Sequence, residues 1–181
     1  MRPALFVAIV VLAACRTAPP TDPSAEERRL QPDHAPTPYT AERIREGCPD
    51  GRVSTFLIEV AGRPPMVQVF RFSGGDKEGC DVEVAALTTD DKPMAEPKKA
   101  RSLWGALQKH ASFPAAETRI SGADVVTPAG RFDCVLYTVT KPTGTVERYY
   151  FARNLPGPPV RMVREAEGKR ILTMTLTKQE P

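Results

Sequence analysis

Few side chains in this sequence could carry catalysis or hold a metal ion. Among 181 residues there are two histidines, His34 and His110, and four cysteines. Nucleophilic catalysis needs a base beside a serine, cysteine or threonine, and a zinc site needs several ligands at short spacings. The two histidines are far apart in the chain, and no two cysteines stand close together. The sequence therefore predicts no enzyme activity, no cofactor and no metal site.

One cysteine, Cys15, stands out because of the residues before it. Arg2 is followed by an apolar run, residues 4–14, which ends directly at Cys15. The run is too short to cross a bilayer as a helix, which needs about 20 apolar residues. A positive start, a short apolar run and small residues at its end are typical of a secretory signal.

The end of that run, Leu12-Ala13-Ala14-Cys15, resembles the lipobox of bacterial lipoproteins. The resemblance implies that residues 1–14 are a cleaved signal peptide and that the thiol and amino group of Cys15 are acylated. Each buried methylene would contribute about 0.8 kcal/mol to anchoring the protein in the membrane. Arg16 stands where inner-membrane lipoproteins usually carry Asp, so the resemblance favours the outer membrane, facing the periplasm. The alternative is an ordinary signal peptide with a chance cysteine.

Composition divides the rest of the chain into a tether and one domain. Residues 15–38 are rich in proline and charge and nearly without large apolar side chains, so they are predicted to form a disordered tether. Residues 39–181 are predicted to form a single β-rich domain. Lysine and arginine number 25 against 22 acidic residues. This near balance argues against a nucleic-acid partner.

Three cysteines, Cys48, Cys80 and Cys134, remain in the predicted domain. An exported protein meets an oxidising compartment, so one disulfide bond is allowed. The sequence cannot choose among the three pairings. We favour Cys48 with Cys80, because both lie at the entry to strands of the same predicted meander. Cys134 lies within a strand, where a buried cysteine usually acts as a small apolar side chain.

Alternating apolar and polar residues predict a mainly β (α+β) fold. A short helix is expected over 40–47, and Gly130 is expected at positive φ in the turn Thr127-Pro128-Ala129-Gly130. The predicted strands are 53–60, 66–72, 80–87, 117–126, 131–139, 146–152, 160–165 and 170–178. Eight short strands with regular turns predict a curved antiparallel sheet or open half-barrel.

One further helix is predicted over 102–111, where Leu103, Leu107 and Ala111 recur every four residues. Each strand leaves an apolar face that must be covered, so this helix is expected to lie on the concave face of the sheet. Leu103, Trp104 and Leu107 are predicted to face inward. They are either ordinary core residues or the lid of a ligand site.

The segment Val125-Val126-Thr127-Pro128-Ala129-Gly130-Arg131-Phe132-Asp133-Cys134 and the aromatic strand Tyr149-Tyr150-Phe151-Ala152 carry a second resemblance. They resemble certain secreted bacterial domains of unknown function, which share an open half-barrel with the lipoprotein-localisation chaperones. The resemblance implies a curved sheet around a helical plug and supplies no catalytic residues. We therefore expect a non-catalytic binding or structural module of the cell envelope, with an envelope protein as its partner. The alternative is a carrier or chaperone for an apolar ligand such as a lipid or a lipidated protein.

Overall fold

Nine antiparallel strands form one sheet in the computed structural model, which describes residues 24–181. The strands are β1 (Val53–Val60), β2 (Met66–Ser73), β3 (Gly79–Thr88), β4 (Lys98–Leu103), β5 (Thr118–Thr127), β6 (Gly130–Thr140), β7 (Val146–Ala152), β8 (Arg161–Ala166) and β9 (Lys169–Glu180). Two short helices, α1 (Ala41–Gly47) and α2 (Trp104–Lys109), accompany the sheet. The predicted signal peptide and Cys15 lie outside the described residues.

The strands follow the order β4-β3-β2-β1-β9-β8-β7-β6-β5. Strands β1 to β4 form one meander and β5 to β9 form another. The two meanders join where β1 pairs with β9. Strands β4 and β5 are the two free edges, so the curved sheet does not close on itself. The predicted fold class, a mainly β protein with an open curved antiparallel sheet, is confirmed.

The sequence predicted eight strands, and β4 is the additional one in the structure. It pairs with β3 from Lys98 opposite Val84 to Leu103 opposite Gly79. Its sequence, Lys-Lys-Ala-Arg-Ser-Leu, has few β-branched or aromatic residues, so its local preference for a strand is weak. Pairing with β3 therefore determines its conformation. Because β4 is an edge strand, its lysine and arginine side chains discourage pairing with another chain.

The hairpin of β5 and β6 is the longest regular pairing in the sheet. Its register runs from Thr118 opposite Val139 to Thr127 opposite Gly130. Gly130 has φ of 138°, as the turn sequence predicted, and the amide of Ala129 donates to Thr127 Oγ1 at 3.1 Å. The strand boundaries 118–127 and 130–140 differ from the predicted ones by a residue or so.

The domain begins earlier than the sequence predicted. Residues 28–38 were assigned to the disordered tether, yet they pack along the sheet. The amide of Thr37 donates to Arg28 O at 2.9 Å, and the Tyr137 hydroxyl donates to Pro36 O at 2.7 Å. Proline lacks an N–H group but keeps a carbonyl acceptor. A proline-rich segment can therefore be ordered by donors that the rest of the fold supplies.

Aromatic side chains form the centre of the core on the face of the sheet that the helices cover. Tyr137 and Phe151, on β6 and β7, meet edge to face with ring centroids 5.5 Å apart. Phe113, which follows α2, stacks on Tyr149 with centroids 4.8 Å apart. Such pairs contribute about 0.5–1.5 kcal/mol each beyond the area that they bury. They join α2 and its C-terminal connection to the central strands.

Candidate apolar ligand site

An apolar cavity of about 440 Å³ lies between the helices and the concave face of the sheet. Its apolar walls include Phe70, Phe72, Val82, Val84, Tyr149, Phe151, Met162 and Met174 from the strands, Ile44 and Leu107 from the helices, and Pro38, Tyr39, Phe113, Pro158 and Pro159 from connecting segments. Small-molecule sites usually measure about 300–1,000 Å³ and have mostly apolar and aromatic walls. The cavity has the size and the lining of such a site.

The strand register explains why these side chains share one face. Phe70 lies opposite Val84, and Met174 lies opposite Met162, which in turn lies opposite Tyr149. Directly opposed residues of antiparallel strands point to the same face of a sheet. The alternation visible in each separate strand thus becomes a continuous apolar surface only when the strands are paired.

The two opposed methionines give this surface an adaptable part. Met162 and Met174 are both partly buried and both line the cavity. A methionine side chain is unbranched and polarisable, so it fits irregular shapes and re-packs easily. This part of the wall can adjust to apolar ligands of different shapes.

Gln108 is a buried polar residue in the cavity wall. Its side-chain oxygen accepts from the amide of Ala41 at 2.9 Å, and its side-chain nitrogen donates to Thr37 Oγ1 at 3.0 Å. These bonds connect α2 to the start of α1 and to the N-terminal segment. Because its amide already has both kinds of partner, Gln108 positions the wall and adds little polarity to the cavity.

The three predicted inward residues of the second helix have different positions. Leu103 is 55% exposed and is the last residue of β4, so the prediction that it faces inward is wrong. Its pairing with Gly79 delays the start of the helix to Trp104. Trp104 is 4% exposed, and its indole N–H donates to Asp76 O at 2.9 Å. Trp104 thus belongs to the core, whereas Leu107 lines the cavity.

Cys48, Cys80 and Cys134 are buried free thiols, so the structure lacks the disulfide bond predicted between Cys48 and Cys80. The Cys48 sulfur lies 3.8 Å from Pro156 O and 3.5 Å from Arg52 Nη1. Burial raises the pKa of the Cys48 thiol and raises the pKa of Cys80 to about 11. Protonated thiols are poor nucleophiles, so their surroundings favour the unreacted state.

Neither histidine is part of a triad within residues 24–181. His34 has its Nδ1 atom 2.8 Å from Ser112 Oγ and so joins the N-terminal segment to the connection after α2. His110 is exposed at the C-terminal end of α2. In the described part of the chain, no group of three or more histidine, cysteine or acidic side chains is arranged to hold a metal ion.

Arg52 is a buried cation that the sequence analysis missed. Only 3% exposed, it donates from Nη1 to Pro156 O at 2.6 Å and also to Gly47 O. Its guanidinium carbon lies 5.9 Å from the centre of the Phe72 ring. Gly157, with φ of 139°, allows the loop after β7 to approach this group. Arg52 therefore connects the end of α1 to the loop at the edge of the cavity.

The same fold occurs in solved structures of MucB. A structure of MucB in complex with MucA(peri) matches with a TM-score of 0.51 at 12% identity, over 77% of this chain and 53% of the other. The complex of Pseudomonas aeruginosa MucA and MucB matches with a TM-score of 0.52 at 12% identity, over 77% of this chain and 54% of the other. A structure of MucB itself matches with a TM-score of 0.50 at 12% identity, over 77% and 56% of the two chains.

This similarity shows a shared fold, and the chain spans about half the length of the MucB chains. No protein-family model matches the sequence, and a search of curated proteins found no related sequence. Among residues 24–181, no helix is both long enough and apolar enough to cross a membrane.

Proposed function

We propose that this chain is a lipid-anchored protein of the cell envelope that binds an apolar ligand, such as the acyl chain of a lipid, without chemical conversion. The observation that carries the proposal is the apolar cavity of about 440 Å³ on the concave face of the sheet. Apolar walls offer water few hydrogen-bond partners, so water in this cavity is weakly held. A hydrocarbon chain entering this cavity would gain apolar contacts without displacing well-bound water.

A second candidate function is the binding of an envelope protein, including a lipidated one. It is favoured by the fold shared with MucB, which has been crystallised with MucA(peri). The two functions are compatible if the cavity receives the acyl chain of a lipidated partner. They are distinguished by whether a free hydrocarbon ligand binds by itself.

Partly filling the cavity should weaken binding of a small apolar ligand. Val84 lines the cavity on β3, so Val84→Phe would place a ring where the ligand chain lies. Each methylene kept out of the cavity costs about 0.8 kcal/mol, so excluding two of them should weaken binding by about tenfold or more. The measurement is calorimetric titration of the purified protein with 1-decanol.

Val126→Phe is the matched control, because it makes the same substitution outside the cavity. Val126 lies on β5 and is 63% exposed. The Val126→Phe protein should bind decanol like the original protein. Equal binding by the two variants, or no binding of decanol by the original protein, would contradict the cavity proposal.

The anchor is tested by Cys15→Ala in the full-length chain. Without the thiol that accepts the acyl chain, the protein should stay uncleaved or enter the soluble periplasmic fraction. The measurement is fractionation of cells after a high-salt wash, with the apparent mass of the protein read from a gel. Cys134→Ala, which alters a buried cysteine of β6, should remain with the membranes. A Cys15→Ala protein that is cleaved and still fractionates with membranes would refute lipid anchoring.

A further inference from the structure

A second pocket, with a volume of about 300 Å³, lies between the N-terminal segment and the hairpin of β5 and β6. Three arginines line it: Arg28 from the N-terminal segment, Arg43 from α1 and Arg153 from the loop after β7. None of its lining residues is acidic. The pocket thus brings together positive charges from three separate parts of the chain, although the protein as a whole is nearly balanced in charge.

The charges of these arginines are only partly balanced by carboxylates. Arg153 Nε lies 3.3 Å from Asp133 Oδ1, and both side chains are half exposed or more. Arg43 Nη1 lies 3.8 Å from Glu46 Oε2, which is at the limit for an ion pair. Arg28 has no acidic partner within 4.0 Å among residues 24–181. The pocket therefore retains positive charge that a bound anion would balance.

Arg28 also has a polar atom without a partner. Its Nη1 donates to Thr37 O at 2.8 Å, which holds the guanidinium in place, but its Nε is buried and has no acceptor in the described structure. Arg52 and Arg161 each have a buried Nε of the same kind, but of these three arginines only Arg28 lines this pocket. A guanidinium presents its donors in a planar fork that matches the oxygens of a carboxylate or a phosphate.

The phenol of Tyr137 faces the same positive charges. Burial raises its pKa to about 12, and Arg28 and Arg153 act in the opposite direction by stabilising negative charge near its hydroxyl. The hydroxyl itself donates to Pro36 O, so it stays protonated and fixed. Arg28 and Arg153 therefore both stabilise negative charge near the Tyr137 hydroxyl, although they come from distant parts of the chain.

The arginine pocket adjoins the apolar cavity. Pro38 and Tyr39 line both spaces. Tyr39 is buried and donates from its hydroxyl to Ala152 O, whereas Pro38 is only partly buried. One molecule that passes Pro38 could place a charged group among the arginines and an apolar chain against the sheet.

We propose that the pocket of Arg28, Arg43 and Arg153 holds the anionic head group, a carboxylate or a phosphate, of an amphiphile whose hydrocarbon chain lies in the apolar cavity. This inference rests on the proposed function and specifies the chemical class of its ligand. Charge-assisted hydrogen bonds to the arginines would then favour an anionic amphiphile over a neutral one with the same chain.

The test compares decanoate with 1-decanol, which have equal chain lengths but different head groups. At neutral pH the acid is ionised, and it should bind the full-length protein about tenfold more tightly than the alcohol. Arg43→Gln and Arg153→Gln should each reduce this preference, and the double variant, which keeps only Arg28 of the three, should reduce it most. Within residues 24–181 neither side chain donates a hydrogen bond to the backbone, so both variants should fold.

Arg45→Gln is the matched control, since Arg45 lies on the same helix and does not line the arginine pocket. It should keep the preference for decanoate, and decanol should bind all five proteins alike. Equal affinities for decanoate and decanol in the original protein would overturn the proposal while leaving the apolar cavity in place. Failure of both ligands to bind would instead reject the proposed function itself.

Inorganic phosphate distinguishes a head-group site from a site for a free anion. Competition between phosphate and decanoate that is weakened in the double variant would support a shared anion site. Phosphate binding that depends on the arginines, without any preference for decanoate over decanol, would overturn the head-group proposal and indicate a site for a free anion.

Discussion

Replacing Trp104 with alanine should lower the free energy of unfolding by about 3–5 kcal/mol. The side chain is 4% exposed and packs in the core cluster with Phe72 and Cys80. Its removal would leave a large cavity and would also leave Asp76 O without the indole donor that lies at 2.9 Å. The measurement is urea unfolding at equilibrium, followed by circular dichroism because the variant lacks the only tryptophan.

Leu103→Ala is the control for this substitution. Leu103 precedes Trp104 directly but is 55% exposed, so its truncation should change stability by less than about 0.5 kcal/mol. A loss below about 1 kcal/mol for Trp104→Ala would show that the indole is not packed as the structure has it. In that case the earlier alternative, a mobile tryptophan that covers a ligand site, would become the better explanation.

Replacing Arg52 with alanine should destabilise the protein by about 3–5 kcal/mol. The variant loses two charge-assisted hydrogen bonds, to Pro156 O and Gly47 O, each worth about 1.5–3 kcal/mol. It also leaves these acceptors without their donor in a largely buried place. The expected result is a markedly lower urea midpoint, with the loop after β7 more accessible to proteolysis.

Arg71→Ala is the matched control, because it makes the same substitution at the surface. Arg71 pairs with Glu83 across β2 and β3 at 3.1 Å, and its side chain is 48% exposed. Exposed pairs of this kind are worth about 0–1 kcal/mol. If both variants lost equally little stability, Arg52 would not connect α1 to the loop as its contacts indicate.

Much of the sheet could be predicted from the sequence, because strand signals are local. β1 and β7 have the predicted boundaries, and β9 was visible from alternating Leu172, Met174 and Leu176. The turn at Gly130 was also predictable, since positive φ is easy only for glycine. In each case the information lies within a few neighbouring residues.

The candidate site could be predicted only in part. Leu107 was expected on an inward helix face and does line the cavity, but Leu103 was placed on the same face and is exposed. Helical periodicity alone did not reveal that Leu103 would pair with Gly79 and end a strand. The arginine pocket gave no sequence signal, because its residues are far apart in the chain.

The sequence by itself determined a mainly β domain with its turns, since alternation and turn residues act over a few positions. Only the tertiary structure decided that the weakly β-forming residues of β4 become a strand and that proline-rich residues 28–38 join the domain. The same is true of the buried position of Arg52 and of the cavity. Each of these depends on partners that the fold brings from distant parts of the chain, and no local preference encodes such a partner.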